Sequence, residues 1–289
     1  MPNLYASLYQ MKIHMAMSNT VAEAILEGTV DDARLLRILE AVSREIDVYC
    51  GRRFFVESRA RYFDGRRTTD DGRRGYYGIR VDDLLSVTTL KTDEDGDRVY
   101  EVTWATTDYD LEPVNALYES PPGPYTRICP APLGDYSFPS GARAIEIVGS
   151  WGFSQELRSA VTTVGGAGMT DSATSFTATS GAALSPGETI LVDSEQMYVS
   201  GISSNTVTVQ RSVNGTTAAA HLTSAAIAVY RYPSVVTEAC LYQSALNNLA
   251  GAAATGQAGS GEFQQPIRAG GLHPFAKQML DPLRRLEIA

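Results

Sequence analysis

The sequence predicts an α+β fold: N-terminal and C-terminal helices packed as a bundle, a β-rich section, and an inserted small all-β domain. Three observations predict it. Apolar residues recur at three- and four-residue steps over about 32–50 and again after Pro233, which is helical spacing. Between Arg59 and about Phe153 the period is two, the signature of strands. Near Thr162 the composition turns abruptly to Gly, Ser, Thr and Ala. The expected partition is a core of residues 1–161 and 230–289, an inserted β module at 162–229, and a flexible linker at 251–274 leading to a C-terminal arm.

Taken in order, a helical segment is expected from Leu4 to Met17 and a short one from Val21 to Leu26. The first strong helix is "TVDDARLLRILEAVSREIDVYCGRRF". Thr29 and Asp32 have the spacing of a capping box, with Asp in place of Glu or Gln. Leu35, Ile38, Leu39, Val42, Ile46 and Tyr49 line one face, and Gly51 stands where a C′ glycine belongs. "RARYF", "GIRVDDLLSVTTLKT", "DRVYEVTW", "DYDLEPV" and "ARAIEIVGSWGF" then read as strands separated by Asp-Gly and Pro-Pro-Gly-Pro turns. In the module, Ser175–Thr179, Thr189–Val192, Gln196–Ile202, Thr206–Gln210 and Ala225–Tyr230 are strand candidates. Pro233 suits a first helical turn, with Val235, Val236, Ala239, Tyr242, Ala245, Leu246 and Leu249 as the apolar face. "HPFAKQMLDPLRRLEIA" closes the chain with a short amphipathic stripe.

The composition bounds the function. With 289 residues, 44% apolar and 20% charged, the chain can bury a core or two. No apolar run approaches the roughly 20 residues of a membrane span, and the first residues carry neither a basic leader nor a cleavage site, so no signal peptide is expected. Cys50, Cys129 and Cys240 are widely separated without metal spacing, and reduced thiols are expected. A net charge of −9 argues against a protein whose main task is gripping phosphates. Arg52, Arg53, Arg59, Arg61, Arg66, Arg67, Arg73 and Arg74 nevertheless crowd one region. Asp82, Asp83, Asp93, Glu94, Asp95, Asp97 and Glu101 crowd the next. Such polarity suits association through complementary patches.

No motif for catalysis emerges. His14, His221 and His273 sit in no nucleophile-elbow or zinc-helix context, and "GGAG" is followed by no Lys-Ser or Lys-Thr. Asp93, Asp95 and Asp97 alternate as calcium ligands can, but Gly96 is fourth and Trp104 twelfth, which breaks the EF-hand pattern. Asp193 and Glu195 are read as solvating one face of a strand. Asn214-Gly-Thr216 has the glycosylation pattern, and its Asn-Gly is read as a turn. The expectation is a non-enzyme without cofactor or metal.

The order "AVSREIDVYCGRRF", "ARYFDG", "IRVDDLLSVTTLKTDEDG", "IVGSWGF", "YPSVVTEACLYQSALNNLA", "MLDPLRRL" resembles the head–tail connector, or adaptor, proteins of tailed bacteriophages, over residues 20–155 and 230–287. The β module departs from the compact form of that family and is similar to small β modules of phage virion proteins. The resemblance implies a structural virion protein of the neck, assembled in the host cytoplasm. Its partners would be itself, as a ring of commonly twelve subunits, the portal protein, and the next neck or tail-completion protein. Genomic DNA would pass through the channel without specific binding, and no membrane is involved.

Two sets of contact residues are expected. Phe275, Met279, Leu280, Leu283, Arg284 and Arg285 are candidates for the portal. Arg52, Arg53, Arg66, Arg67, Asp82 and Asp83 are candidates for the subunit interface. The module is expected to fold by itself. The alternatives are a β-module binding protein, recognising a host glycan or a decoration partner from its anchor on the virion, and a DNA-binding protein.

Overall fold

The computed structural model describes residues 3–17, 31–65, 78–119, 122–132, 134, 136–254 and 271–285. The segment expected to be helical at Val21–Leu26, Thr29 of the expected capping box, and residues 255–270 of the expected linker lie outside the described residues.

The bundle-dominated α+β expectation is overturned. The protein is mainly β, with 34% strand against 27% helix, in two antiparallel sheets of six strands each. Four α-helices are present among the described residues: α1 (Leu8–Met17), α2 (Asp32–Cys50), α3 (Ser234–Ala254) and α4 (Pro274–Leu280). Two of them are long, at 19 and 21 residues, but four helices leave most of the chain to strands and loops. β-Branched and aromatic residues outside them fill two β cores instead.

The chain divides into two compact units, Arg53–Gln155 and the remainder, Met1–Arg52 with Glu156–Ala289. The first is the β section. Its strands are β1 (Glu57–Phe63), β2 (Ile79–Thr92), β3 (Val102–Trp104), β4 (Tyr109–Glu112), β5 (Tyr125–Pro130) and β6 (Ile145–Trp151). They run in the order β1-β6-β2-β5-β4, with β3 added to β2. Leu84, Ile128, Ile145, Ile147 and Trp151 are fully buried at its centre. Trp104 stacks on Phe138 at 4.7 Å and donates its indole N–H to Thr92 at 3.1 Å, so the polar edge of the ring is satisfied.

The second unit joins the helices to the other sheet: β7 (Leu157–Thr163), β8 (Ser175–Thr177), β9 (Thr189–Val192), β10 (Glu195–Ser203), β11 (Thr206–Gln210) and β12 (Ala226–Tyr230). Their order is β7-β12-β9-β10-β11-β8. The two edges then meet. Val164 bridges Ala178, Gly165 N–H donates to Thr177 O at 2.7 Å, and Thr179 N–H donates to Thr163 O at 2.9 Å. Closure removes most of the unpaired edge and makes the sheet a small barrel. Ile190, Val192, Met197, Val199, Val207 and Ile227 fill it, all fully buried.

The barrel begins at β7 and ends with β12, a little wider than 162–229, and it shares its compact unit with the helices. Leu8 N–H at the start of α1 donates to Pro186 O, and Tyr9 N–H donates to Ser185 Oγ. At the chain's other joint, Asn3 and Asn214 exchange side-chain amide bonds of 2.8 and 3.0 Å, and Asn214 also donates to Gln196.

Helices α2 and α3 meet through small side chains. Ala239, Cys240 and Ser244 are fully buried on α3, and Ser43 is fully buried on α2, with Ser43 Oγ 3.7 Å from Cys240 Sγ. The apolar face expected on α3 is therefore turned partly outward: Val235 and Leu249 are each 41% exposed. Close approach of two helices favours the small stripe over the larger aliphatic one.

Gly149, central in β6, has no room for a side chain. A Cβ there would lie 2.2 Å from Ser86 O, where β2 is irregular on both sides of the contact. Gly149→Ala is expected to cost about 1–3 kcal/mol, read as a lower denaturation midpoint of tryptophan fluorescence, since Trp104 and Trp151 both report on this unit.

Candidate functional site

The densest meeting of ionisable groups lies at one end of the barrel. Glu195 opens β10 directly after a two-residue turn, Asp193–Ser194, in which Asp193 takes φ 53°. Its residues Glu195, Met197 and Val199 point to the same side, which is the barrel interior. Arg211 follows β11 in phase with Val207 and Val209, so its side chain is aimed inward too. The two meet as a bidentate pair: Nε to Oε1 at 2.7 Å and Nη2 to Oε2 at 2.6 Å.

Glu195 accepts further bonds from the backbone N–H of Ser212 at 3.2 Å and of Ala219 at 3.0 Å. His221 stands beside it, with Nε2 2.9 Å from Glu195 Oε2 and Nδ1 2.7 Å from Asp193 Oδ2. The side chains of Glu195 and His221 are 0% and 1% exposed, whereas Asp193 is 62% exposed. Burial alone would raise the Glu195 carboxyl. The Arg211 guanidinium, the Ala219 N–H, His221 and the Ser212 N–H outweigh it and hold the group at about 2. Arg211 also donates to the carbonyls of Thr170, Ala173 and Ala219.

This arrangement overturns the reading of Asp193 and Glu195 as one solvated strand face. Asp193 belongs to a turn, and Glu195 is wholly buried. The signal was present in the phase of Glu195 with Met197 and Val199. For His221 no periodicity points inward, and only the tertiary fold brings it there. Every oxygen of Glu195 is occupied by donors that fix loop 211–221, so the cluster works as a clamp on the barrel. Asn214 of the glycosylation pattern is 5% exposed with its amide paired to Asn3, which leaves no access for a glycan.

The acidic loop after β2 is built differently. Asp93 accepts from Gly96 N–H at 2.7 Å and Arg98 N–H at 2.8 Å, and Asp97 accepts from Val99 N–H at 2.7 Å. Carboxylate oxygens of Asp93, Asp95, Asp97 and Glu101 lie within 4.8 Å of one another. Three of these side chains close the loop through backbone N–H groups. Trp104, at the position where an EF-hand needs its last ligand, is buried in the core.

The expected portal residues fall in and after α4. Leu280 is fully buried, and Met279 and Leu283 are half-buried. Phe275 is 50% exposed and meets Tyr242 edge-on at 5.1 Å. The Arg284 guanidinium sits 5.0 Å from the Tyr49 ring centre, and Arg285 N–H donates to Cys50 O at 2.7 Å. The segment thus lies on α2 and α3 of its own chain.

Of the expected interface residues, Arg66 and Arg67 lie outside the described residues. Arg53 pairs with Glu57, and Asp82 pairs with Arg61 at 2.6 Å. Asp83 is buried, with its carbonyl accepting from Gly152 N–H, and Arg52 is half-buried. Sequence reasoning missed Glu57, which gathers three of the arginines. The three cysteines are buried and unbridged, and burial pushes Cys50 and Cys129 up to about 12 and Cys240 to about 11.

No family model, curated protein or solved structure matches the chain.

Glu195→Gln is expected to destabilise the barrel by about 3–5 kcal/mol, because Arg211 would keep a buried charge without its counter-charge. The pH dependence follows from the same group. Its folded value lies below the ordinary 4.5, so its contribution is present above about pH 4.5 and is lost as pH falls through about 2. Urea unfolding followed by circular dichroism from pH 6 to pH 2 should show that loss in the native chain and a flatter curve in Glu195→Gln.

Proposed function

We propose that the protein is a structural component of the phage neck. In this reading identical subunits form a ring beneath the portal, extend the DNA channel, and join head to tail components. The support comes from where the resembling segments lie. "AVSREIDVYCGRRF" forms the end of α2, and "MLDPLRRL" forms the end of α4 and the turn after it. They are more than two hundred residues apart in sequence and still meet: Arg285 N–H donates to Cys50 O, Tyr49 donates to Asp281 at 2.5 Å, and Arg284 covers the Tyr49 ring. "YPSVVTEACLYQSALNNLA" joins them by packing Cys240 on Ser43. Three of the six segments on which the resemblance rests therefore build one local structure, whose outer side presents Phe275 and Arg284, while the other three belong to the β section.

The chemistry-bearing side chains of the barrel support a structural role for a separate reason. Glu195, His221 and Arg211 are engaged with one another and with loop backbone, where they hold a fold together. A neck component has to remain assembled under the pressure of packed DNA, and its surface has to let phosphates pass. A net charge of −9 favours passage over capture.

The placement of α4 selects the variants for a portal test. Removing residues 272–289 would uncover α2 and α3, because Leu272, Ala276 and Leu280 are buried there. Phe275→Ser combined with Arg284→Glu leaves those buried residues in place and, with the ring contacts to Tyr242 and Tyr49 lost, should lower the melting temperature modestly without unfolding the chain. Co-sedimentation with portal rings is expected to be lost in this variant. Docking equal to that of the native chain would count against the proposed portal contact.

A further inference from the structure

The β-section sheet carries opposite charge at its two ends. At one end three guanidiniums share the buried Glu57 carboxylate. Arg53 Nη1 donates to its oxygens at 3.0 and 3.1 Å, Arg59 Nη1 at 3.5 and 3.4 Å, and Arg61 Nη2 at 2.5 Å. Arg61 also reaches Asp82 and is 20% exposed. Arg53 and Arg59 are 49% and 53% exposed. One carboxylate cannot use the donors of three guanidiniums, each with five N–H groups, so Arg53 and Arg59 keep donors turned to solvent.

At the other end the loop after β2 carries Asp93, Glu94, Asp95, Asp97 and Glu101 against the single Arg98. Glu94, Asp95, Asp97 and Glu101 are exposed. Strand register sets the separation. Glu57 lies opposite Trp151 on β6, and Phe63 lies opposite Ile145. Thr92, which leads into the acidic loop, also lies opposite Ile145. Six residues of extended strand therefore place the two patches about 20 Å apart.

We infer that Arg53 and Arg59 dock the acidic 94–101 loop of a second copy of this chain, end to end. This rests on the ring reading and supplies its contact. Guanidiniums already aligned by Glu57 lose little freedom when they bind further carboxylates, which favours a planar, bidentate partner. Duplex DNA is the other source of anions, and the net charge of −9 opposes it. Used end to end, patches at opposite ends of one sheet give a heterologous contact that repeats from copy to copy. Used side by side, they would close a dimer.

The test is the mass of the full-length chain by light scattering, at low and at high salt. Two charge reversals are compared: Arg53→Glu with Arg59→Glu, and Glu94→Lys with Glu101→Lys. The glutamates stand outside the Glu57 cluster, so the second variant remains informative if the first folds poorly. Assembly beyond a dimer is expected for the native chain, weakened at least about tenfold in each variant and by salt. An equimolar mixture of the two variants should recover it.

Native-like assembly of the glutamate variant would overturn the inference, as would a native chain that stays monomeric or stops at a dimer. So would duplex-DNA binding that is lost on arginine reversal while self-association persists. Rings that still form with the glutamate variant would remove this contact and leave the ring reading. Open filaments that depend on these charges would do the reverse.

Discussion

The barrel depends on one buried carboxylate. Taking Glu195 out of water costs several kcal/mol unless charge and hydrogen bonds replace the lost solvation. Here a bidentate Arg211, two backbone N–H groups and His221 replace it. Those partners all come from residues 211–221, a stretch with one short helical turn and no strand. Through Arg211 the same carboxylate also secures the carbonyls of Thr170 and Ala173, in the segment that leads into β8. Two irregular segments thus owe their positions to one side chain, and the hydrophobic interior is sealed where the strands run out.

A similar economy joins the barrel to the helices of its unit. The amide of Asn3 answers that of Asn214, whose φ of 57° and the 80° of Gly215 set the turn that brings it there. Pro186 and Ser185, in a barrel loop, satisfy the first N–H groups of α1, which would otherwise lack partners. Helices α2 and α3 approach through Ser43, Ala239, Cys240 and Ser244, so a polar pair replaces bulk at their crossing. The unit holds together through matched polar groups as much as through apolar area.

Local periodicity made much of the chain legible. The start of α3 beside Pro233, the end of α2 at Gly51, and most of the strands were readable from spacing and turn residues, because each depends on neighbours within a few positions. The weight of β over α was not legible. The strand candidates cover even the three-residue β3 and β8, but they leave out β5 and β7, and without those the two sheets hold little more of the chain than the helices. Closure of the barrel through Val164 and Ala178 pairs residues that no local signal connects. The clamp was half legible. Glu195 and Arg211 keep the phase of buried neighbours, but a charged residue in phase with a core is normally read as an exposed exception. His221 and the Asn3–Asn214 pair come from sequence separations of 26 and 211, which only folding brings together.

The two units treat a buried glutamate in opposite ways, and the contrast explains where charge is left for partners. Glu195 has one guanidinium, itself only 9% exposed, and its remaining partners are two backbone N–H groups and the His221 ring. Charge is balanced inside the barrel end, and little field escapes from that pair. Glu57 has three guanidiniums, two of them half exposed, and a single further carboxylate in Asp82. The surplus is positive and faces solvent, while the carboxylates that could neutralise it stand at the far end of the same sheet. In a protein with 33 acidic and 24 basic residues, leaving such a surplus uncompensated is not forced by a shortage of carboxylates. β1 places arginine at both Arg59 and Arg61 beside a single glutamate. A sheet that separates its charges in this way lowers its energy when a second copy brings the missing end, and the gain is largest where the guanidiniums are already held in line.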